Sequence, residues 1–338
     1  MTSPTVMRGP GCGGASDGRL VLALDIGGTK LAAGIVDPAG ATRSFLVMPS
    51  RTELGPDAVL ADLFALGRDA VSDAGVAWSQ VAAVGIGCGG PLDAERGILV
   101  APAHLRGWRE VPVAALAQDT FGRPALLEND ATAAAAAEHR YGAGAGRRNM
   151  VYLTISTGVG GGAVIDGRLY RGTTGNGGEL GHVTVDWRGR RCRACGRRGC
   201  LEAYVSGTSI AERAIEQMDP GSRLAELDRP TAADVAAAAR AGDRYAAAVW
   251  EETIDALACG LTSIVNLFEP ELVVLGGGVT RSGEQLLGPV RERVRSAAMA
   301  PAGSAAEVVT AALGDRVGVV GAAAIAFDAV CAGGIDDR

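Results

Sequence analysis

The residues best suited to chemistry are concentrated between residues 176 and 202. This stretch holds one of the three histidines and three of the seven cysteines of the chain, namely His182, Cys192, Cys195 and Cys200. Imidazole and thiolate are the ligands of a closed tetrahedral zinc site, so the spacing predicts one. Glu179 and Glu202 bracket these ligands and are not typical of such a site. We therefore expect the zinc to hold the two glutamates for another purpose, although a purely structural knuckle with exposed glutamates fits the same residues.

A strand, a glycine-rich turn, a second strand and an aspartate occur in this order twice. The first copy covers residues 21–37, with Asp25 just before the turn Gly27-Gly28-Thr29-Lys30. The second copy covers residues 150–166, with its turn at residues 157–162, about 130 residues further along the chain. Glycine lets a ligand approach the backbone closely, and free N–H groups in such turns cradle phosphate. The repeat predicts two related lobes that hold a phosphate tail between them; two ordinary hairpins are the alternative.

Short apolar strands alternate with helical patterns, which is typical of the α/β class. Further strands are expected at residues 81–87 and 272–275. Helices are expected at residues 56–74, 131–140, 211–218, 232–241, 245–267, 289–298 and 319–330. Pro289 is expected in the first turn of its helix. Asn129-Asp130 is a strong helix start, so position alone favours a helix cap as the role of Asp130.

Composition and charge exclude several classes of function. The formal net charge of −6 argues against nucleic acid as the main partner. No run of about 18 apolar residues is present, so no membrane-spanning helix is expected. Residues 1–18 are rich in Gly, Pro and Ser and predict a disordered tail. The cysteines outside the cluster are scattered, which favours a reducing, cytoplasmic location.

Two common nucleotide motifs are absent or incomplete. The sequence has no G-x-x-x-x-G-K-[ST], which excludes a Walker-type NTPase. Residues 85–90 match G-x-G-x-x-G, but Pro91 follows where a dinucleotide-binding domain needs a helix. The paired glycine turns therefore favour a different way of holding a nucleotide.

Six motifs resemble, in order, those of the ROK family of sugar kinases and sugar-responsive repressors. They are D-I-G-G-T-K at 25–30, E-N-D-A-T-A-A at 128–134, T-G-V-G-G-G at 157–162, G-E-L-G-H at 178–182, C-G-R-R-G-C-L-E at 195–202 and V-L-G-G-G at 274–278. The resemblance implies an actin/hexokinase-like (ribonuclease H-like) two-lobed fold with a zinc knuckle at residues 182–200. It also implies a small lobe of residues 19–128 plus 314–332 and a large lobe of residues 129–313.

The resemblance implies roles for single residues as well. Asp130 would be the catalytic base that takes the proton of a hexose 6-hydroxyl as its oxygen attacks the γ-phosphorus of ATP. The sugar would contact Gly90, Asn129, Asp130, Glu179, His182 and Glu202. The nucleotide and its phosphates would contact Asp25, Gly27, Gly28, Thr29, Lys30, Thr157, Gly158, Gly160, Gly276, Gly277 and Gly278. Asp25 would hold Mg²⁺, and His182 would bind zinc through one ring nitrogen while the other faces the sugar.

The implied activity is an ATP-dependent hexose kinase that converts glucose to glucose 6-phosphate. An N-acetylmannosamine kinase, or a kinase of another hexose, is the alternative, and polyphosphate stays open as a donor. A sugar sensor without catalysis is a third hypothesis. A repressor is not expected, because it needs a helix-turn-helix module before the first turn and only 24 residues precede Asp25. The implied partners are hexose, ATP and further copies of the chain, as a homodimer or homotetramer.

Three departures from the family pattern bear on these expectations. Cys192 and Cys195 are one residue further apart than is usual in the family. Thr132 replaces a common asparagine. The loop at residues 102–108, where sugars are distinguished, carries His104 and leaves the role of His104 and the exact sugar open.

Overall fold

Two mixed five-stranded sheets with the same strand arrangement form the framework of the molecule. The computed structural model describes residues 19–102 and 104–331. In chain order, the strands are β1 Leu20–Ile26, β2 Lys30–Val36, β3 Thr42–Pro49, β4 Val81–Cys88, β5 Leu92–Asp93, β6 Ile98–Leu99, β7 Ala125–Asn129, β8 Met150–Ile155, β9 Val159–Ile165, β10 Arg168–Tyr170, β11 Leu272–Gly276 and β12 Glu307–Thr310.

The two sheets repeat one topology. The strand order is β3-β2-β1-β4-β7 in the first sheet and β10-β9-β8-β11-β12 in the second, while β5 and β6 form a separate hairpin. In each sheet three antiparallel strands are followed by two strands parallel to the central one. The β1–β2 and β8–β9 pairs therefore occupy equivalent places, which confirms the predicted repeat of strand, glycine turn and strand.

Helices cover both faces of each sheet. They are α1 Pro56–Asp73, α2 Val113–Phe121, α3 Asp130–Tyr141, α4 Glu202–Val205, α5 Gly207–Glu216, α6 Ala232–Arg240, α7 Arg244–Phe268, α8 Glu284–Ala297, α9 Ala302–Ala305 and α10 Val317–Cys331. α1 and α2 share a buried cluster with the first sheet. The helices from α4 to α8 share another with the second sheet. The predicted α/β class is confirmed.

α3 and α10 pack together between the sheets. α10 packs on the first sheet through Ala323 and Phe327, and α3 packs on the second through Ala134 and Ala135. Ala133 of α3 lies in the small cluster that joins the two helices. Because alanine side chains are short, the helices can approach both the sheets and each other closely.

Two glycines mark the closest contacts of α10. A Cβ on Gly85 of β4 would lie 2.0 Å from the carbonyl oxygen of Ala322. A Cβ on Gly321 of α10 would lie 2.6 Å from the carbonyl carbon of Ala133. In both cases the obstacle is backbone, which cannot rotate away. The position of α10 against β4 and α3 therefore depends on the absence of these side chains.

The structure corrects two local expectations. α8 begins at Glu284, five residues before Pro289, so this proline lies inside the helix and not in its first turn. Buried Leu286 and Leu287 extend the apolar face of α8 upstream. The second glycine turn is also shorter than predicted, because β9 begins at Val159 and includes Gly160.

The packing of α10 on the first sheet supports the proposed division into lobes of residues 19–128 plus 314–332 and residues 129–313. The predicted disordered tail, residues 1–18, lies outside the described residues. Among residues 19–102 and 104–331, no helix combines the length and the apolar character needed to cross a membrane.

The same substitution at two helix glycines should have opposite effects. Gly321→Ala should lower the free energy of unfolding by about 1–3 kcal/mol, since overpacking against fixed backbone is destabilising. Gly288→Ala in α8 meets only a flexible glutamate oxygen at 3.6 Å, so it should be neutral or stabilising by up to about 1 kcal/mol. Urea unfolding of both variants measures the difference. Equal effects would show that α10 does not depend on this close approach.

Candidate active site

At the N-terminus of α3, an asparagine caps the helix and leaves the carboxylate of the next residue, an aspartate, free for chemistry. The Asn129 side-chain oxygen accepts hydrogen bonds from the N–H groups of Ala131 and Thr132, at 3.0 and 3.1 Å. Asn129 is therefore the helix cap, and the capping role that position alone favoured for Asp130 is wrong. Asp130 is the first helical residue, and its Oδ1 accepts one hydrogen bond, from Ala131 N–H at 2.7 Å. Its side chain stays exposed in the space between the sheets, here called the cleft.

Charged groups converge around Asp130. Desolvation by the surrounding protein raises the pKa of Asp130, while the Ala131 N–H and nearby His104 lower it. Burial, together with the charge of Asp130, raises the pKa of Asp25 to about 7, and Lys30 opposes that shift. Asp25 is the penultimate residue of β1 and lies beside the start of α10, where a Cβ on Gly318 would lie 2.4 Å from its Oδ2. The cleft thus holds two facing carboxylates with elevated pKa values.

The first glycine turn lies at the Asp25 side of the cleft. The N–H of Gly27 donates to the carbonyl oxygen of Lys30 at 3.0 Å, and a Cβ on Gly27 would lie 2.8 Å from the same oxygen. The turn is therefore closed tightly and requires glycine there. Thr29 and Lys30 are exposed. The carbonyl oxygen of Thr29 accepts from Ser50 N–H at 3.0 Å, so the exposed side chains of Thr29 and Lys30 are the groups that a ligand in the cleft can reach.

The second glycine turn consists of Ser156, Thr157 and Gly158. The N–H of Ser156 donates to the carbonyl oxygen of Gly158 at 2.9 Å; Ser156 and Thr157 are exposed, and Gly158 is half-buried. Gly160 lies in β9, where a Cβ would come within 2.7 Å of the Ala131 methyl group. The structure thus gives Gly160 a packing role against α3, whereas its predicted phosphate contact stays a prediction.

The three glycines after Leu275, Gly276 to Gly278, also divide into residues that pack against the protein and a residue that faces open space. A Cβ on Gly276 would meet the Tyr152 hydroxyl at 2.6 Å, and one on Gly277 would meet the Ile155 carbonyl oxygen at 2.3 Å. Gly278 has open space instead and lines a cavity of about 650 Å³ beside Thr157. Much of the cavity wall consists of small residues at the start of α6, and its cationic members are Arg229, Arg240 and Arg281. These arginines belong to none of the sequence motifs, so the sequence did not predict their position at this cavity.

The four predicted zinc ligands meet in space. Their ligand atoms all lie within 4.8 Å of one another, with Cys195 Sγ 3.5 Å from Cys200 Sγ and Cys192 Sγ 3.8 Å from His182 Nδ1. A tetrahedral zinc, with Zn–S of about 2.3 Å and Zn–N of about 2.0–2.1 Å, separates its ligand atoms by about 3.5–3.8 Å. The residues therefore fit zinc despite the longer Cys192–Cys195 spacing.

The two glutamates face different neighbours. Glu179 Oε2 lies 3.9 Å from Nε2 of His182, the ring nitrogen that does not face Cys192. Burial is the main cause of the raised pKa of Glu179, and the negative charges of Asp130 and Glu202 raise this pKa further. Glu202 accepts from the Cys192 thiol at 3.3 Å and from Val159 N–H at 2.9 Å. Glu202 therefore connects the zinc cluster to the second glycine turn.

Residues from both sheets meet near Gly90. A Cβ on Gly90 would lie 3.6 Å from Asn129 Nδ2 and 3.8 Å from Asn176 Oδ1. Sequence reasoning missed Asn176, although it begins the same 27-residue stretch as Glu179. His104, whose role the sequence left open, lies against two glycines, since a Cβ would come 3.4 Å from it on Gly28 and 2.6 Å on Gly89. It therefore occupies the cleft between the first turn and the Gly90 region.

Comparison with known proteins decides the family. The family model described as "ROK family" matches residues 21–329. This protein belongs to the ROK family. The glucokinase of Thermotoga maritima is 36% identical over 311 residues, which cover 90% of this chain and 96% of that protein.

Solved ROK structures share the fold. The ROK hexokinase of Thermus thermophilus is 37% identical, with a TM-score of 0.76, over 92% of this chain and 99% of that one. The ROK glucokinase of Streptomyces griseus, solved with glucose and AMPPNP, is 33% identical, with a TM-score of 0.77, over 90% of this chain and 98% of that one. The predicted family and its two-lobed α/β fold are confirmed.

The ligand cluster predicts a measurable metal content. Protein purified without chelator should contain about one zinc ion per chain by plasma mass spectrometry, because three thiolates and one imidazole complete a tetrahedral site. Cys195→Ser should lose most of this zinc. Cys259→Ser is the matched control, since Cys259 is an exposed free thiol outside the cluster. Unchanged zinc in Cys195→Ser, or no zinc in the wild type, would contradict the assignment.

Proposed function

We propose that this protein is an ATP-dependent hexose kinase that phosphorylates glucose at its 6-hydroxyl. The observation that carries the proposal is the position of Asp130, whose exposed carboxylate does not cap its helix. Its charge acts on Asp25 before the first glycine turn, and its neighbour Ala131 contacts β9 just after the second. A phosphoryl acceptor and a phosphoryl donor can meet there from opposite sides. Glucose is the first choice because the relatives described above include glucokinases.

Asp130 is the proposed general base. The 6-hydroxyl oxygen attacks the γ-phosphorus, its proton passes to Asp130, and the bond from the γ-phosphorus to the bridging oxygen of ADP breaks. Phosphoryl transfer depends mainly on positioning and on stabilisation of charge, and the base orients the hydroxyl and removes its proton. The raised pKa of Asp130 brings its basicity closer to neutral pH, which suits this role.

The sugar is proposed to lie between the Gly90 region and the zinc knuckle. Each hexose hydroxyl both donates and accepts, so carboxylates and an amide can grip adjacent hydroxyls. Asn129, Glu179, His182 and Glu202 supply these groups, and Asn176 and His104 are added from the structure. Their convergence on Gly90 and Asp130 from both sheets supports the assignment.

The nucleotide is proposed to extend from the 650 Å³ cavity to the first glycine turn. The cavity suits an adenosine because its walls are mostly apolar, and Gly278 and Thr157 lie on the side nearest the cleft. The turn at Thr157 and Gly158, and the exposed residues Thr29 and Lys30, are the proposed contacts of the phosphates. Asp25 is the proposed Mg²⁺ carboxylate, since hard cations prefer oxygen ligands.

Zinc, when bound, supplies rigidity to the knuckle. Nδ1 of His182 and the thiolates of Cys192, Cys195 and Cys200 would hold it. Ligation at Nδ1 would leave the proton on Nε2, which would donate towards the Glu179 side of the cleft. Deprotonation of Cys192 for ligation would remove its hydrogen bond to Glu202, which would keep its Val159 contact and have one oxygen free for a hydroxyl. We also propose that the protein is cytoplasmic and that it forms a homodimer or a homotetramer.

Removal of the base tests the mechanism. Asp130→Asn keeps the size of the side chain and an acceptor for Ala131 N–H, but it cannot take a proton. Its kcat should fall by about 10²–10⁴-fold, while glucose binding, measured by calorimetry, should change little. Asp166→Asn, at an exposed turn between β9 and β10, is the control. A near-normal kcat in Asp130→Asn would refute the assignment of the base.

A substrate series tests the activity itself. We expect kcat/KM with MgATP to be highest for glucose among glucose, mannose, N-acetylmannosamine, N-acetylglucosamine and fructose. ATP should also exceed polyphosphate as donor at saturating glucose. A preference for N-acetylmannosamine would keep the kinase and change its substrate. Hexose binding without turnover of any sugar would instead indicate a sensor and refute the proposed activity.

A further inference from the structure

An ion pair with one buried partner lies directly behind the proposed base. Glu128 precedes Asn129 in β7 and is 1% exposed. Its Oε2 accepts from Nε of Arg171 at 2.7 Å, and its Oε1 accepts from the N–H of Asn129 at 3.0 Å. Successive side chains of a strand leave on opposite faces, so Glu128 lies on the other side of β7 from Asn129. The carboxylate therefore contacts the catalytic segment without entering the cleft.

Arg171 comes from the other sheet. It directly follows β10 and starts the segment of residues 171–179, here called the sugar loop because it ends at Glu179. The Arg171 side chain is 44% exposed and lines a cavity of about 930 Å³ bounded by α2, the β5–β6 hairpin and residues 171–175. Residues 125–128 belong to this cavity wall, whereas Asn129 and Asp130 do not. The ion pair thus joins the two sheets at a place separate from the reacting groups.

The sugar loop is internally fixed, so a shift at one end moves the other. The carbonyl oxygen of Arg171 accepts from Gly177 N–H at 2.8 Å, and a Cβ on Gly177 would clash with Arg171 backbone at the same distance. The Asn176 side chain donates to the Thr174 carbonyl oxygen at 3.0 Å. Gly178 then packs on β9, where its carbonyl oxygen would meet a Cβ on Gly161 at 2.8 Å. Arg171 therefore anchors one end of a closed loop that carries Asn176 and Glu179 to the cleft.

We propose that the Arg171–Glu128 ion pair sets the position of the sugar loop relative to Asn129 and Asp130, which makes both residues positioning residues for hexose binding. The proposal rests on the proposed function. A carboxylate that is almost fully buried needs a charged partner, and the partner here is the first residue of the loop. The interaction therefore couples loop position to the strand that carries the base.

The experiment uses the full chain, with hexose affinity and ATP KM measured separately. Arg171→Met should weaken glucose binding by about tenfold to a hundredfold in calorimetry without nucleotide, as expected for loss of a charged hydrogen bond that orders the site. The KM for ATP should not change, and kcat at saturating glucose should fall less than kcat/KM. Arg171→Lys should restore part of the affinity. Arg148→Met is the matched control, because the Arg148–Asp166 pair is exposed on both sides.

The double variant Glu128→Gln/Arg171→Met separates positioning from stability. It removes both charges, so no buried carboxylate is left unpaired, and its melting temperature should recover relative to Arg171→Met. Its glucose affinity should stay low, and hydrogen exchange should rise in residues 171–179 alone. Recovery of affinity together with stability would overturn the positioning role, as would wild-type glucose binding by Arg171→Met. Failure of the wild type to bind any hexose would instead overturn the proposed function.

Discussion

The cap of α3 is the interaction on which the rest of the site depends. The Asn129 side chain takes two of the free N–H groups that begin the helix, so Asp130 keeps its carboxylate for the cleft. α3 also lies between the two sheets and against α10. Its N-terminus is therefore held between the two sheets, where Ala131 contacts Gly160 of β9. An ordinary local requirement of helices thus places a base between the proposed sugar and phosphate positions.

Close approach of backbone explains much of the glycine content around this point. Gly160 lets β9 contact the first turn of α3, and Gly318 lets α10 begin beside Asp25. Gly277 lets the segment after β11 contact β8. Only part of each glycine motif is left to face a ligand. The zinc knuckle contributes rigidity, because four ligands around one metal ion would fix the position of His182. Beside it, Glu179 is exposed and Glu202 is half-buried.

The sequence predicted most of the framework because local patterns agreed with the fold. The strand–turn–strand repeat, the seven expected helices and the cluster of candidate zinc ligands were found where expected, apart from shifts of up to five residues at helix ends, whereas α2 was not expected. Pro289 and Gly160 were misplaced because buried leucines upstream and pairing with β8 decide their elements. Asn176, the cavity arginines and the Arg171–Glu128 pair could not be predicted. Their roles arise from contacts between segments far apart in the chain, and no local spacing records such contacts.

The most direct measurement is a crystal structure with glucose and an unreactive ATP analogue. The glucose O6 should lie within about 2.6–3.2 Å of an Asp130 carboxylate oxygen. The γ-phosphorus should lie about 3–3.5 Å from O6, with the phosphates along both glycine turns. A glucose whose O6 points away from Asp130, or phosphates bound outside the two turns, would contradict the role of Asp130 as the base between sugar and nucleotide.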